Sequence, residues 1–244
     1  MADAREHDIL TAPGATGPTQ TTDAARPDDA VTHLAAPDPL NDPAAVLDAA
    51  LPAPVERPST IATDLALVAT FAAFLAVCAI IPGIPTGTGV PVTLQTFGVV
   101  LAGLVLGWRR GTLAVLLYLA VGLAGVPVFS GGASGLAVLA GPSAGYLVAF
   151  PFAAALAGWL AGAARTATGQ ARYLVLVASG VIGTALTIHP AGIVGMARYF
   201  HVDVSEAFGW GAVYFPGDVV KNLLAAGVAT AVFAHYPDLL RRRR

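Results

Sequence analysis

Asp218 and Lys221 stand three residues apart in Pro216-Gly217-Asp218-Val219-Val220-Lys221-Asn222-Leu223-Leu224, inside an apolar stretch of membrane-span length, and Lys221 is the only lysine of the chain. On a helix that spacing puts both side chains on one face. A carboxylate brings only acceptors and an ammonium three donors, so the two can address one small polar object together. An ionisable residue kept within a membrane span faces a cavity or a partner and marks a functional site. The alternative is an ion pair that satisfies itself with no ligand.

The elements that must position this pair are apolar. Hydrophobic residues make up 56% of the 244 residues and charged ones 11%, and the mean hydropathy is +0.70. This excludes an ordinary soluble domain and predicts an all-α integral membrane protein. The single cysteine, Cys78, excludes an intramolecular disulfide, and within its apolar run it reads as a packed thiol.

Charge divides the chain in two. Residues 1–58 carry ten Asp/Glu and three Arg, a net −7, whereas residues 59–244 carry ten Lys/Arg and five Asp/Glu, a net +5. The leading segment also holds nine of the eighteen prolines and no Phe, Trp or Tyr. It cannot bury enough apolar surface to offset chain entropy, so it is expected to be a disordered acidic tail, with residues 59–244 as the membrane domain. The tail lacks the basic start and apolar core of a signal peptide, so no cleavage is expected.

From residue 59 onward, apolar runs alternate with Gly/Pro or Arg punctuation, which predicts six transmembrane helices near 62–82, 92–108, 111–126, 142–162, 172–197 and 216–236. The second and third are shorter than the roughly 20 residues a crossing needs, so their outer ends should continue into loops packed inside the protein. Arg109 and Arg110, Arg165 and Arg172, and Arg241 to Arg244 fall in or after alternate connections, while the other connections hold only Arg198. Both termini are therefore expected in the cytoplasm. The terminal Arg run reads as a stop signal beside anionic headgroups rather than a nucleic-acid patch. The outward connections are rich in Gly and Pro, as in Pro82-Gly83-Ile84-Pro85-Thr86-Gly87-Thr88-Gly89-Val90-Pro91, and together they form a candidate pocket roof.

These residues carry a family resemblance. Pro91-Val92-Thr93-Leu94-Gln95-Thr96-Phe97, Leu101-Ala102-Gly103, Leu106-Gly107, Leu116-Leu117-Tyr118-Leu119, Gly125-Val126-Pro127-Val128-Phe129, Gly131-Gly132, Gly141-Pro142, Gly145-Tyr146 and Phe215-Pro216-Gly217-Asp218 with Lys221 resemble BioY, the biotin-specific S component of energy-coupling-factor (ECF) transporters. The resemblance runs over about residues 62–236 in order, and the tail lies outside it. It implies a six-helix membrane protein that captures biotin from outside, beneath the loops after spans one and three, with no cofactor. By that resemblance Asp218 and Lys221 contact the ligand, joined by Gln95 with Thr93 in the same run, and by Tyr146. Val194-Gly195 stands where the family often has Pro-Trp, so the resemblance supports no aromatic ligand contact from span five.

The chemistry of the pair agrees with that ligand. A cyclic urea presents one carbonyl acceptor and two N–H donors, so a carboxylate can take an N–H while an ammonium donates to the carbonyl. Asp218, read in the first helical turn after Pro216, would sit where the helix dipole and free N–H groups favour the carboxylate. Apolar walls for the sulfur ring and aliphatic chain are expected from Phe97, Phe129, Tyr146 and Phe215.

Other residues receive plainer readings. His189, before Pro190, reads as a kink-filling or hydrogen-bonded core residue rather than a proton relay or ligand. Asp203 and Glu206 belong to a wet outer loop or short surface helix, and Trp108, Trp159 and Trp210 to span ends as interfacial anchors. Ala62, Ala66, Ala69, Ala73 and Ala76 recur at spacings of three and four on span one. Such a stripe lets another helix approach closely, either within this bundle or from a partner. The resemblance implies the latter, because S components dock their transmembrane T component through an Ala-x-x-x-Ala stripe on this span.

The sequence contains no Gly-x-x-x-x-Gly-Lys-Ser/Thr phosphate loop, so ATP-driven transport would need separate ATPase subunits. A secondary transporter using Asp218 and Lys221 as a proton-coupled pair is the main alternative, and autonomous transport of biotin or a related small vitamin also stays open. A membrane enzyme is disfavoured, since no nucleophile and base pair or metal-ligand cluster is apparent.

Overall fold

Runs of Ala, Leu, Val and Gly with few internal breakers favour helix, and in lipid every backbone polar group must be satisfied within its own segment or against protein. The computed structural model describes residues 61–237 and 239. Seven α-helices carry these residues: α1 (Ile61–Ile80), α2 (Gln95–Leu123), α3 (Ala144–Leu160), α4 (Gly169–Gly183), α5 (His189–Phe200), α6 (Val204–Gly211) and α7 (Tyr214–His235). Tight turns at Ser130–Gly132, Leu136–Ala140 and Ala161–Arg165 and a wide helical turn at Thr184–Ile188 complete them. The only pairing of extended chain among the described residues is an antiparallel bridge between Ile84 and Val92. The readings of residues 1–58 as a tail and of Arg241 to Arg244 as a stop signal concern residues outside those described.

Among the described residues five stretches are long and apolar enough to cross a membrane by length and composition: Ile61–Ile80, Gln95–Leu123, Ala144–Arg165, Gly169–Phe200 and Tyr214–His235. Large apolar side chains such as Leu65, Phe152 and Leu186 are exposed on them, as lipid-facing surfaces require. The expected second and third spans are two limbs of α2. In a straight helix Gln95 and Tyr118 would lie about 35 Å apart, yet the Gln95 Nε2 amide donates to Tyr118 Oη at 2.7 Å. The chain reverses at Gly107, whose φ of 81° and ψ of 175° are accessible essentially to glycine alone. At ~1.5 Å per residue, limb 95–106 is only about 18 Å long, short of the ~30 Å hydrocarbon core. Val90 and Phe129, from the connections on that side, are buried, as expected of loops packed inside the protein.

One end of the bundle gathers the start of α1, the Gly107 reversal and the Ala161–Arg165 turn. There Arg110 Nη2 meets Asp64 Oδ1 at 2.7 Å. The starts of α2, α3 and α7 meet at the opposite end. Wrapped around them, one buried cluster joins Leu75, Val99, Tyr118, Phe129, Phe150 and Ile188; a second joins Leu104, Leu106, Ala157, Leu176, Ala226 and Phe233. Asp203 and Glu206 fall at and in the short helix α6, one of the two settings expected for them.

Candidate functional site

α7 begins at Tyr214 rather than at Pro216, because Val213 takes the cap and Pro216 sits within the first turn, where its missing N–H leaves nothing unpaired. Asp218 is therefore in the second turn, not the first. The free N–H groups expected to favour its carboxylate are not its partners; side chains are. Lys221 Nζ donates to Asp218 Oδ1 at 2.9 Å, and His189 Nε2 lies 3.4 Å from Oδ2. Asp218 is 4% exposed and Lys221 9%. Burying such a pair is tolerable only because each charge meets the other at hydrogen-bond distance.

Both side chains line a cavity of about 310 Å³ beneath the Gly/Pro-rich connections, within the ~300–1,000 Å³ range of small-molecule sites. Val92, Val138, Leu147 and Phe150 supply apolar wall, and Gly89, Gly131 and Gly141 bring backbone to its edge. Thr93, Gln95, Phe129 and Tyr146 also line it, so all six residues read from the sequence as ligand contacts come together.

They do not all arrive free. Thr93 Oγ1 donates to Gln95 Oε1 at 3.1 Å, Gln95 Nε2 donates to Tyr118 Oη at 2.7 Å, and Tyr118 donates to Val128 O at 3.2 Å. This chain ties the start of α2 to its second limb and to the connection that follows. Gln95 keeps one amide hydrogen beyond those bonds, and Thr93 is spent on orienting it. Phe129 is held edge-on to Tyr118, ring centroids 5.5 Å apart at 90°. Tyr146 differs: its ring lies on the bare backbone of Gly192, and its buried hydroxyl has no hydrogen-bond partner among the described residues. A buried orphan hydroxyl on a cavity wall is a group waiting for a ligand or water.

Two expected wall residues are elsewhere. Phe97 packs edge-on to Phe74 at 6.2 Å on the side toward α1, and Phe215 lies under His189, its ring stacked at 3.8 Å and 10°. α2 is apolar on most sides, so periodicity could not tell which face meets the cavity. Sequence reading missed Tyr214, which lines the cavity. Its hydroxyl donates to Val90 O at 2.7 Å and meets Thr88 Oγ1 at 2.7 Å and Thr86 Oγ1 at 3.2 Å. It ties the roof segment after α1 to the first turn of α7. The signal was present: a Tyr two residues ahead of Pro216-Gly217-Asp218, facing a Thr-Gly-Thr roof.

The site thus offers one acceptor-only group, one multi-donor group and a free hydroxyl over apolar walls, suited to a small polar head that both donates and accepts. Among the described residues no group of three or more His, Cys, Asp or Glu is placed to hold a metal ion. Away from the cavity, Ala62, Ala66, Ala69 and Ala73 are exposed along α1, so they do not pack this bundle's own core. Ala76 is partly buried against it. The opposite face of α1, with Ala72, Leu75, Cys78 and Ala79, is the buried one, and Cys78 is the packed thiol expected.

Residues 49–238 match the model of the BioY family. The biotin transporter BioY of Rhizobium etli is 37% identical over 73% of this chain and 97% of its own length. That of Rhodobacter capsulatus is 34% identical over 74% and 98%. A crystal structure at 2.1 Å of the S-component for biotin from an ECF-type ABC transporter superposes with a TM-score of 0.64 at 28% identity, covering 72% of this chain and 94% of the other.

Proposed function

The chain belongs to the BioY family, a family of multi-pass membrane transporters, and from that premise we propose that it binds biotin in the cavity above Asp218 and Lys221 and serves biotin uptake as the S component of an ECF transporter. One observation carries the assignment of the pocket: the chain's only lysine is buried beside a carboxylate on the wall of a cavity sized for a small molecule. Asp218 accepts a ureido N–H, Lys221 donates to the ureido oxygen, and Tyr146 Oη lends a further hydrogen bond. Phe129, Val138, Leu147 and Phe150 cover the sulfur ring and the aliphatic chain, while Gln95, oriented by Thr93, contributes its remaining amide hydrogen.

Selectivity follows from the pair. A ligand lacking the urea leaves the buried carboxylate and ammonium without the hydrogen bonds they offer to the cavity, and such a loss discriminates more sharply than apolar fit.

The remaining parts are assigned by the same reading. The cavity end faces outward and both termini face the cytoplasm, in line with Arg109, Arg110, Arg165 and Arg172 at the other end. The exposed stripe Ala62, Ala66, Ala69 and Ala73, with Ala76 at its edge, docks the T component by close helix approach. ATP is hydrolysed by partner ATPase subunits, and the chain performs no chemical step and needs no cofactor. The acidic residues 1–58 are assigned to the cytoplasmic side with the N-terminus. The test is uptake of radiolabelled biotin into vesicles containing the chain with T and ATPase subunits. Uptake that requires internal ATP is expected, whereas uptake driven by a proton gradient alone, without ATP, would overturn the S-component reading in favour of a secondary transporter.

A further inference from the structure

Asp218 has a partner on the side away from the cavity. His189 is 3% exposed and is not among the residues lining the cavity, yet its Nε2 lies 3.4 Å from Asp218 Oδ2. Lys221 binds the other oxygen, Oδ1. The imidazole plane is fixed by its stack on Phe215, which precedes Asp218 by three residues and so shares its face of α7. His189 thus docks from α5 onto the ring and the carboxylate of one helix at once. Its direction is set by backbone. Pro190 has no N–H to give to the preceding turn, and the wide turn Thr184–Ile188 inserts one extra residue just ahead, where the His189 N–H donates to Thr184 O, five residues back. That insertion rotates the helix and turns His189 inward.

We propose that His189 is a positioning residue for ligand binding, acting only through Asp218. With its proton on Nε2, the imidazole presents an N–H to Oδ2 while Lys221 holds Oδ1. A carboxylate with one partner can swing about its side-chain torsions; with two fixed partners from different helices it has one orientation, so binding need not order it. The Nδ1 atom has no hydrogen-bond partner among the described residues, so the imidazole ends this chain of contacts rather than passing a proton onward. The inference rests on the reading that Asp218 receives a ureido N–H from biotin.

The experiment titrates biotin calorimetrically into His189→Phe and His189→Gln, each made in the native protein and in Asp218→Asn, with thermal melting of every variant. His189→Phe keeps the ring stack and removes the donor, and should weaken binding about tenfold. His189→Gln, whose side-chain amide reaches the same oxygen, should recover most of that loss. In Asp218→Asn the His189→Phe change should have little further effect, because the group it acts through is already altered. Equal losses from His189→Phe in both backgrounds, or equal losses for Phe and Gln, would overturn the positioning role. If Asp218→Asn itself binds biotin like the native protein, the reading of the pocket falls and the proposal with it. Should His189→Phe fail to fold, His189→Leu in the same two backgrounds carries the comparison.

Discussion

Replacing Lys221 with Met removes the one ammonium on the cavity wall while keeping an unbranched chain of similar reach. In the native protein Nζ lies 2.9 Å from Asp218 Oδ1, and both residues are nearly excluded from solvent. Two losses follow: the charge-assisted hydrogen bond to the ureido oxygen, and the neutralising partner of a buried carboxylate. The first is worth about 1.5–3 kcal/mol. Breaking a buried pair by deleting one member costs about 3–5 kcal/mol, part of it in the free protein and so invisible to binding. Affinity should therefore fall by at least ~1.5–3 kcal/mol, or roughly 10- to 150-fold. Asp218→Asn, which preserves shape and retains one acceptor, should fall toward the lower end of that range. The double variant should lose less than the sum, because removing both charges strands neither. Calorimetric titration of biotin, with elution profile and melting temperature as checks on folding, measures all four proteins. Native affinity in both single variants, or strictly additive losses in the double, would refute the reasoning.

Tyr214→Phe frees the roof from three oxygen contacts at about 1 kcal/mol for each hydrogen bond lost; biotin should dissociate several-fold faster in stopped-flow exchange, and an unchanged rate would remove Tyr214 as a tie. Ala69 and Ala73 changed together to Leu should leave biotin binding intact and abolish co-purification with the T component, since bulk on the exposed stripe blocks close helix approach; lost binding would instead show that the stripe serves the bundle's own packing. Gly107→Ala places a side chain at φ 81° and ψ 175°, a conformation costing about 1–3 kcal/mol for other residues, and should lower the melting temperature measurably. Deleting residues 1–58 should leave affinity nearly unchanged in a titration of the truncated protein; a large loss would give the segment a part in the pocket.

What the sequence made legible follows from what hydropathy and composition encode. Asp218 and Lys221 stood out because charge in an apolar span carries a large penalty, and the Gly/Pro runs marked the roof because they cannot continue a helix. The two limbs of α2 were readable from Arg109 and Arg110 between apolar runs, but that one glycine turns the chain is a dihedral property with no hydropathy signature. Phe97 was misplaced because a helix apolar on most sides loses its periodic signal. The sequence places the start of α7 two residues late because Pro216 reads as the first helical residue, although proline fits anywhere in the first turn. Tyr214 and Phe215 then fell outside the helix that orients them. The contact of His189 with Asp218 joins α5 to α7, a tertiary approach set by the wide turn at Thr184–Ile188, and no local pattern in either segment announces it.

The central claim is that the cavity above Asp218 and Lys221 is a biotin site, and titration of biotin into the purified full-length protein tests it most directly. The account predicts a saturable one-to-one isotherm for biotin, with sharply weaker binding by an analogue whose ureido ring is opened. Absence of saturable binding by folded protein, or equal affinity for biotin and the opened analogue, would contradict it.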